Sequence, residues 1–209
     1  MTTQPGILEI LGLAASVSLL SGWRLYLTVF ATGLAMRLGA IPLPEHMEAL
    51  RVLGDPWVMG VAFTAALAEF MADKVPWVDT LWDTVHTVIR PLGGALLALA
   101  VVDASDPAWQ VAVFLLGGGA ALLAHGGKAS ARAVINTSPE PISNIATSTA
   151  EDVATGGLLV LAFQFPVIAG AIALVLLALA LWLLLAARAA LKRLFFGRNP
   201  QSGKIVPPS

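Results

Sequence analysis

The most informative part of the sequence is EFMADKVPWVDTLWDTVHTVIRP, residues Glu69 to Pro91, which holds seven ionisable side chains in a largely apolar chain. Proline fits the first position of a helix, because the N–H that it lacks has no hydrogen-bond partner there. If Pro76 begins a helix, four polar side chains lie on one face of it. These four are Asp79, Asp83, His86 and Arg90. The residue before a proline disfavours helical dihedrals, so we expect this amphipathic helix to end at Arg90.

A helix from Pro76 to Arg90 is about 22 Å long, at 1.5 Å per residue. A hydrocarbon core of about 30 Å is too thick for it to cross comfortably. The length therefore favours a re-entrant or interfacial amphipathic helix.

The composition is that of an integral membrane protein. Of 209 residues, 57% are hydrophobic and 12% are charged, whereas ordinary soluble domains are about 25% charged. The clearest membrane span is the uncharged run 166–187. We predict an all-α, polytopic α-helical membrane protein with about five to seven transmembrane segments, in addition to the amphipathic helix.

Several classes of protein are excluded by composition. With a net charge of −1 and no internal basic tract, nothing indicates a nucleic-acid partner. The absence of cysteine excludes disulfides, thiolate metal sites and cysteine nucleophiles. The start MTTQPGILEI lacks the basic region of a cleavable signal, so we interpret it as leading into a retained first membrane segment.

The charge at the C-terminal end predicts the orientation. We expect one membrane domain over residues 1–187 and a basic tail over 188–209. After Asp152 the chain has five basic residues and no acidic one. By the positive-inside rule, the C-terminus is predicted to be cytoplasmic.

Three further stretches carry polar residues. Within the apolar segment 10–36, Arg24 is costly in a membrane unless it is paired, and we favour two helices meeting at Gly22. The run HGGKASAR, residues 125–132, is interpreted as a polar helix start or loop. After it, INTSPEPISN (135–144) predicts a turn in which Ser143 or Asn144 caps the next helix.

A weak internal repeat divides the membrane domain into possible halves, 7–103 and 107–187. Each half has a glycine and a basic residue two apart, Gly22 and Arg24 against Gly126 and Lys128. Each half then has an Ala-Glu-x-x-Ala helix, at 68–72 and 150–154. Inverted repeats of this kind build many transporters, and the two glutamates would then face each other.

Three long blocks resemble one known family. They are SGWRLYLTVFATGLAMRLG (21–39), ADKVPWVDTLWDTVHTVIRPLGGALLA (72–98) and HGGKASARAVINTSPEPISN (125–144). They are similar to the bacterial membrane family catalogued as domain of unknown function 4126, over about residues 21–157. The resemblance implies a polytopic protein of the bacterial inner membrane, and it supplies no activity or catalytic residue.

The first candidate site is a path for an ion. Glu69 and Asp73 lie one helical turn apart, in or near the membrane, where carboxylates act as ion ligands or proton carriers. Arg24 and Glu151 complete this predicted path. The alternative is that Asp73 lies at the water interface and only Glu69 is buried, paired with Arg24.

The second candidate site is a metal or anion site. Two carboxylates and an imidazole on one helix face, Asp79, Asp83 and His86, suit a divalent cation. The alternative is a solvated charged face. Three basic residues are candidates for binding phosphate or another anion: Arg90, Lys128 and Arg132. For Lys128 and Arg132, the alternative is an ordinary positively charged loop.

Three functions fit these features. The leading hypothesis is a small transporter or channel for an ion or small polar solute, with the helix before Gly93 and Gly94 as its gate. The second is a lipid-handling protein, either a flippase-like carrier of a phospho-lipid or a metal-dependent lipid enzyme. The third is a structural or assembly protein, and a homodimer fits all three. No hydrolase or phosphate-loop motif is present, so an enzyme is the less favoured class.

Overall fold

The computed structural model describes residues 6–39, 45–102, 105–135 and 141–196. Within these ranges all regular structure is helical. The elements are α1 (Ile7–Arg37), a 3-10 helix (Glu45–Gly54), α2 (Pro56–Ala72), α3 (Pro76–Val102), α4 (Pro107–Ile135), α5 (Pro141–Gln164) and α6 (Pro166–Phe196). The predicted all-α, polytopic membrane class is confirmed.

Four of these helices are long and apolar enough to cross a membrane: α1, α3, α4 and α6. The 17-residue α2 is apolar but shorter, and α5 is more polar. Large apolar side chains cover the outside, for example Leu116 at 73% exposure and Val160 at 65%. Such a surface suits lipid, and the protein is a multi-pass membrane protein.

Local sequence explains where the helices begin. Each helix from α2 to α6 starts at a proline, which fits the first helical position because no N–H is needed there. Asp55 caps α2, accepting from the Trp57 amide at 2.8 Å. Asp106 caps α4 in the same way, from the Ala108 amide at 2.9 Å. The helix predicted to be capped by Ser143 or Asn144 begins earlier, at Pro141.

Contacts along α3 fix its direction. Toward its start His86 meets Tyr26 of α1 at 3.0 Å, and farther along Gly94 lies against Ser21. Its start likewise faces the end of α4, so α3 runs antiparallel to both helices. At Gly117 of α4 a Cβ atom would lie 2.5 Å from the Cβ of Ala98, so the two helices approach closely only because glycine stands there.

The prediction that the amphipathic helix ends at Arg90 is wrong. The helix continues through Pro91 to Val102, which makes α3 27 residues long and able to cross the membrane rather than re-enter or lie on it. A proline removes one backbone hydrogen bond. The apolar residues after it pack tightly enough to keep the helix continuous, with Ala95 and Val101 fully buried.

The polar face of α3 points inward. Asp79, Asp83, His86 and Arg90 are all buried, at 6% exposure or less. On the outside Val85 and Val88 are 54% and 65% exposed. The alternative of a solvated charged face is therefore wrong, because the bundle, not water, surrounds these charges.

Three smaller predictions are also corrected. The segment 10–36 lies within α1, in which two helical stretches meet as predicted, but the break between them is at Arg24 and not at Gly22. The run 125–132 lies inside α4 and is neither a helix start nor a loop. Residues 188–196 of the predicted tail continue α6. Residues 197–209, Asp103 and much of the 135–144 turn lie outside the described residues.

Candidate functional site

The site is built around a break in α1. Arg24 has non-helical dihedrals, φ −144° and ψ 70°, and a break of this kind costs backbone hydrogen bonds that must be replaced inside a membrane. Side chains replace them. The Thr28 hydroxyl donates to the Arg24 carbonyl at 2.8 Å, the Lys128 ammonium to the Trp23 carbonyl at 3.2 Å, and Arg90 to the Gly22 carbonyl at 3.5 Å.

The Arg24 side chain lies among four carboxylates. It is 1% exposed and is bound directly to Asp73. Its guanidinium nitrogens lie 3.0 Å from Asp152, 3.3 Å from Glu151 and 3.9 Å from Glu69. A buried arginine in a membrane protein needs such partners, because the unpaired charge would be expensive.

Helix α4 supplies two more cations from the other side. Arg132 holds Glu151 with two parallel bonds, Nε to Oε1 at 3.1 Å and Nη2 to Oε2 at 2.8 Å. Paired bonds of this kind are the strong form of the arginine–carboxylate contact. The Lys128 ammonium lies 3.5 Å from Glu151 and 3.9 Å from both Glu69 and Asp73.

On α3, Arg90 joins two carboxylates from different helices. Its Nη2 donates to Glu69 at 2.5 Å and its Nη1 to Asp83 at 3.0 Å. The same Nη1 lies 2.6 Å from Nδ1 of His125. Arginine only donates, so Nδ1 is the acceptor and His125 is the neutral tautomer with its proton on Nε2, which meets the Asp83 carbonyl at 3.1 Å.

The predicted metal ligands do not come together. Among the described residues, no group of three or more His, Asp or Glu side chains is arranged to hold a metal ion. His86 uses Nδ1 on the Trp82 carbonyl at 2.7 Å and Nε2 on the Tyr26 hydroxyl at 3.0 Å. Asp83 is paired with Arg90. Arg90 and Tyr26 thus already engage two of the three candidates, and the divalent-cation site at Asp79, Asp83 and His86 stays a prediction.

Asp73 lies in the link between α2 and α3, outside the four candidate spans. Burial by itself would raise the pKa of its carboxyl. Three cations outweigh burial and hold that pKa below its usual range: Lys128, Arg24 and Arg132. Asp73 is therefore ionised at neutral pH. It is also fully buried, so the alternative that it lies at the water interface is wrong.

Two cavities reach this cluster from different sides. A crevice of about 380 Å³ lies between α1, α2 and α5, and Arg24 and Glu69 line it. A cleft of about 160 Å³ lies between α3 and α4, and Asp83 and Arg132 line it. Arg90 bonds Glu69, which lines the crevice, and Asp83, which lines the cleft.

A model of one protein family matches residues 11–186, and the family is described as domain of unknown function (DUF4126). The chain belongs to DUF4126. The resemblance predicted from the three sequence blocks is thereby confirmed. No curated protein and no solved structure matches the chain.

In this DUF4126 protein, the candidate ion-path residues and the candidate anion-site residues lie in one cluster. The carboxylates of Glu69, Asp73 and Glu151 all lie within ion-pair distance of Arg24, and the path for an ion through these four residues stays a prediction. The anion-site candidates Arg90, Lys128 and Arg132 are paired with their carboxylates.

Sequence reasoning gave no role to two residues of the site, His125 and Ser148. Ser148 accepts from Arg24 and from the Lys74 ammonium at 2.9 Å. A serine in an alanine- and threonine-rich helix carries no sequence signal of such a contact. His125 had one usable signal, its place three residues before a lysine in an apolar segment.

Proposed function

We propose that this DUF4126 protein is a transporter or channel of the bacterial inner membrane, with its C-terminus in the cytoplasm, that moves an ion or small polar solute. The observation that carries the proposal is a buried ion-pair cluster that two cavities approach from different sides. Many transporter sites are formed by helices that are broken within the membrane, and α1 is broken at Arg24, inside this cluster.

The charge of the cluster favours a positively charged cargo. Among the described residues, ion pairs of 4.0 Å or less join four cationic side chains to six carboxylates: Arg24, Arg90, Lys128 and Arg132 with Glu69, Asp73, Asp79, Asp83, Glu151 and Asp152. The cluster is thus negative by two charges when all its groups are ionised. Lys74, at the edge of the cluster, offsets one of these two negative charges. One negative charge then remains for a positively charged cargo to neutralise.

Arg90 is the proposed barrier between the cavities. While it bonds both Glu69 and Asp83, it closes the direct route from the crevice to the cleft. A cation arriving at Glu69 competes with Arg90 for that carboxylate. We infer that this competition releases Arg90 toward Asp83 and opens the route.

Proteoliposomes loaded with the purified protein test the proposal. We expect a gradient of a monovalent cation or of protons to drive flux, and Glu69→Gln to abolish it. The matched control is Glu9→Gln, since Glu9 is an exposed glutamate of α1 that only caps the helix start. A folded, inserted sample without flux for any simple cation, proton or anion gradient would refute transport of simple ions.

Lipid handling is a second candidate, because the walls of the crevice are apolar and its floor is charged. A phospho-lipid could place its headgroup on that floor. Scrambling of a fluorescent phospholipid in the same vesicles, absent in protein-free vesicles, would support this function over ion transport.

A further inference from the structure

The crevice between α1, α2 and α5 has a charged floor and an apolar rim. Arg24, Glu69 and Asp152 line it together with Leu27, Ala66, Phe70, Val153 and Gly156. Phe70 and Val153 are 41% and 71% exposed. Helices α2 and α5 flank the opening without packing closely against each other. An occupant therefore meets hydrocarbon at the mouth and charge at the bottom.

The floor is negative and has one open acceptor. It holds one cation and two carboxylates, and the cation, Arg24, is already bound to Asp73. Glu69 is 1% exposed, and its Oε2 has no hydrogen-bond partner among the described residues. A buried carboxylate oxygen without a partner costs free energy, so a donor that reaches it is favoured.

The rim shows which kind of donor suits it. The Lys74 ammonium lies over the ring of Phe70, 3.7 Å from the ring centre. That distance is a cation–π contact, the contact by which proteins recognise ammonium groups. An inorganic cation such as Ca²⁺ would want six or more oxygen ligands, whereas most of the crevice wall is hydrocarbon.

We propose that the crevice binds a solute with a primary ammonium group on a short hydrocarbon chain, the ammonium on Glu69 and Asp152 and the chain against Leu27, Phe70 and Val153. The inference rests on the proposed function and names its substrate class. The same ammonium chemistry occurs in a free amine and in the headgroup of an ethanolamine lipid.

Calorimetric titration of the purified full chain in detergent with n-butylammonium tests binding. The neutral isostere n-butanol and the anion butyrate are the ligand controls. We expect saturable binding of butylammonium alone. Asp152→Asn should weaken it about tenfold, because one charged hydrogen bond is lost. Absent butylammonium binding, or equal binding of n-butanol, would overturn the proposal.

Two neighbouring glycines give a control that leaves every charge in place. A Cβ atom on Gly156 or on Gly157 would meet nothing within 4 Å, but only Gly156 lines the crevice. Gly156→Leu should weaken binding about tenfold or more, by filling the space. Gly157→Leu should bind as the wild type does. Equal binding by both variants would place the ligand elsewhere and overturn the proposal.

Two further experiments distinguish a free amine from a lipid headgroup, and the binding proposal from the transport proposal. If vesicles of phosphatidylethanolamine displace butylammonium and vesicles of phosphatidylglycerol do not, the natural ligand is a lipid headgroup. If neither kind of vesicle displaces it, the natural ligand is a free amine. Binding needs no gradient, so it is independent of the flux assay. Butylammonium binding without flux of butylammonium or of any simple cation leaves the site and refutes transport, and cation flux without butylammonium binding does the reverse.

Discussion

The carboxylate of Asp73 forms ion pairs with side chains of two different helices. It is fully buried and its partners come from two helices, with Arg24 of α1 and Lys128 and Arg132 of α4 all within ion-pair distance. Removing one partner from such a group leaves buried charges without compensation, which costs about 3–5 kcal/mol. The stability of this cluster must therefore depend on pH.

We predict acid-sensitive stability that Asp73 causes. The folded pKa of Asp73 lies below its usual value, so its ionised form is stabilised by folding. That contribution is complete above the unfolded pKa, about 3.9, and is lost as the pH falls through the lower folded pKa. Thermal unfolding in detergent should show Asp73→Asn far less stable than the wild type at pH 7, with the gap closing below about pH 4.

The matched control for this effect is Asp55→Asn. Asp55 is an exposed helix cap far from the cluster. Its variant should show a small difference from the wild type with no comparable closing of the gap in acid. A gap for Asp73→Asn that stays constant from pH 7 to pH 3 would contradict the linkage.

Among the helices, α3 and α4 make the most extensive contact with each other. Gly117 lies where a Cβ would meet Ala98 at 2.5 Å and the Gly94 carbonyl at 2.9 Å, whereas at Gly119, two residues on, a Cβ would meet nothing within 4 Å. The same stretch of helix thus offers a packed glycine and an open one.

Alanine at these two glycines should have opposite effects. Gly117→Ala should lower the free energy of unfolding by about 1–3 kcal/mol, because the added methyl group overpacks the contact. Gly119→Ala should be neutral or raise stability by up to about 1 kcal/mol, because alanine favours the helix. Thermal unfolding of both variants in one detergent measures the difference, and equal destabilisation would show that the close approach is wrong.

The sequence predicted the helices better than their breaks. The uncharged apolar run from residue 166 placed the start of α6, and a proline at the first helical position placed the start of α3 at Pro76. The end of α3 was missed because Pro91 stops helices in water, where the freed backbone groups are solvated, but not in a packed apolar bundle. The break at Arg24 was placed at Gly22, since the dihedrals there follow from contacts with distant residues of α3 and α4 that no local pattern records.

Of the site, the sequence predicted the members but not their pairing. Glu69, Arg24 and Glu151 could be predicted because a charged side chain within an apolar segment costs free energy to insert into a membrane. Helical spacing also grouped Asp79, Asp83 and His86 on one face, but it did not predict that Tyr26 of α1 would meet His86, because spacing on one helix says nothing of the partners that other helices bring.

At the scale of the whole molecule, the two proposed halves meet at the cluster. Lys128 reaches Glu69 of the first half and Glu151 of the second, at 3.9 Å and 3.5 Å, and Arg24 reaches the same two glutamates. The convergence supports the proposed duplication, in which the two glutamates hold corresponding positions.

A crosslink tests that convergence. Cysteines at 69 and 151, in a chain that has no native cysteine, should be joined by a short bifunctional thiol reagent, seen as faster migration in denaturing gels. A reagent is needed because Lys128 lies between the two carboxylates, whereas a direct disulfide needs Cα atoms about 4.4–6.8 Å apart. A control pair at 9 and 151, taking the exposed Glu9 instead, should not crosslink. Failure of the first pair in a folded sample would refute the facing arrangement and with it the duplication.

The broken α1 has a consequence for how the protein is made. Ribosomes synthesise Arg24 first, 49 residues before Asp73 and 124 before Ser148. The nascent first helix therefore enters the bilayer with an unpaired charge, at a cost of about 2.5–3.5 kcal/mol on insertion scales. We therefore expect this helix to stay beside the insertion machinery until its carboxylate partners have been translated, the first of them being Glu69 and Asp73.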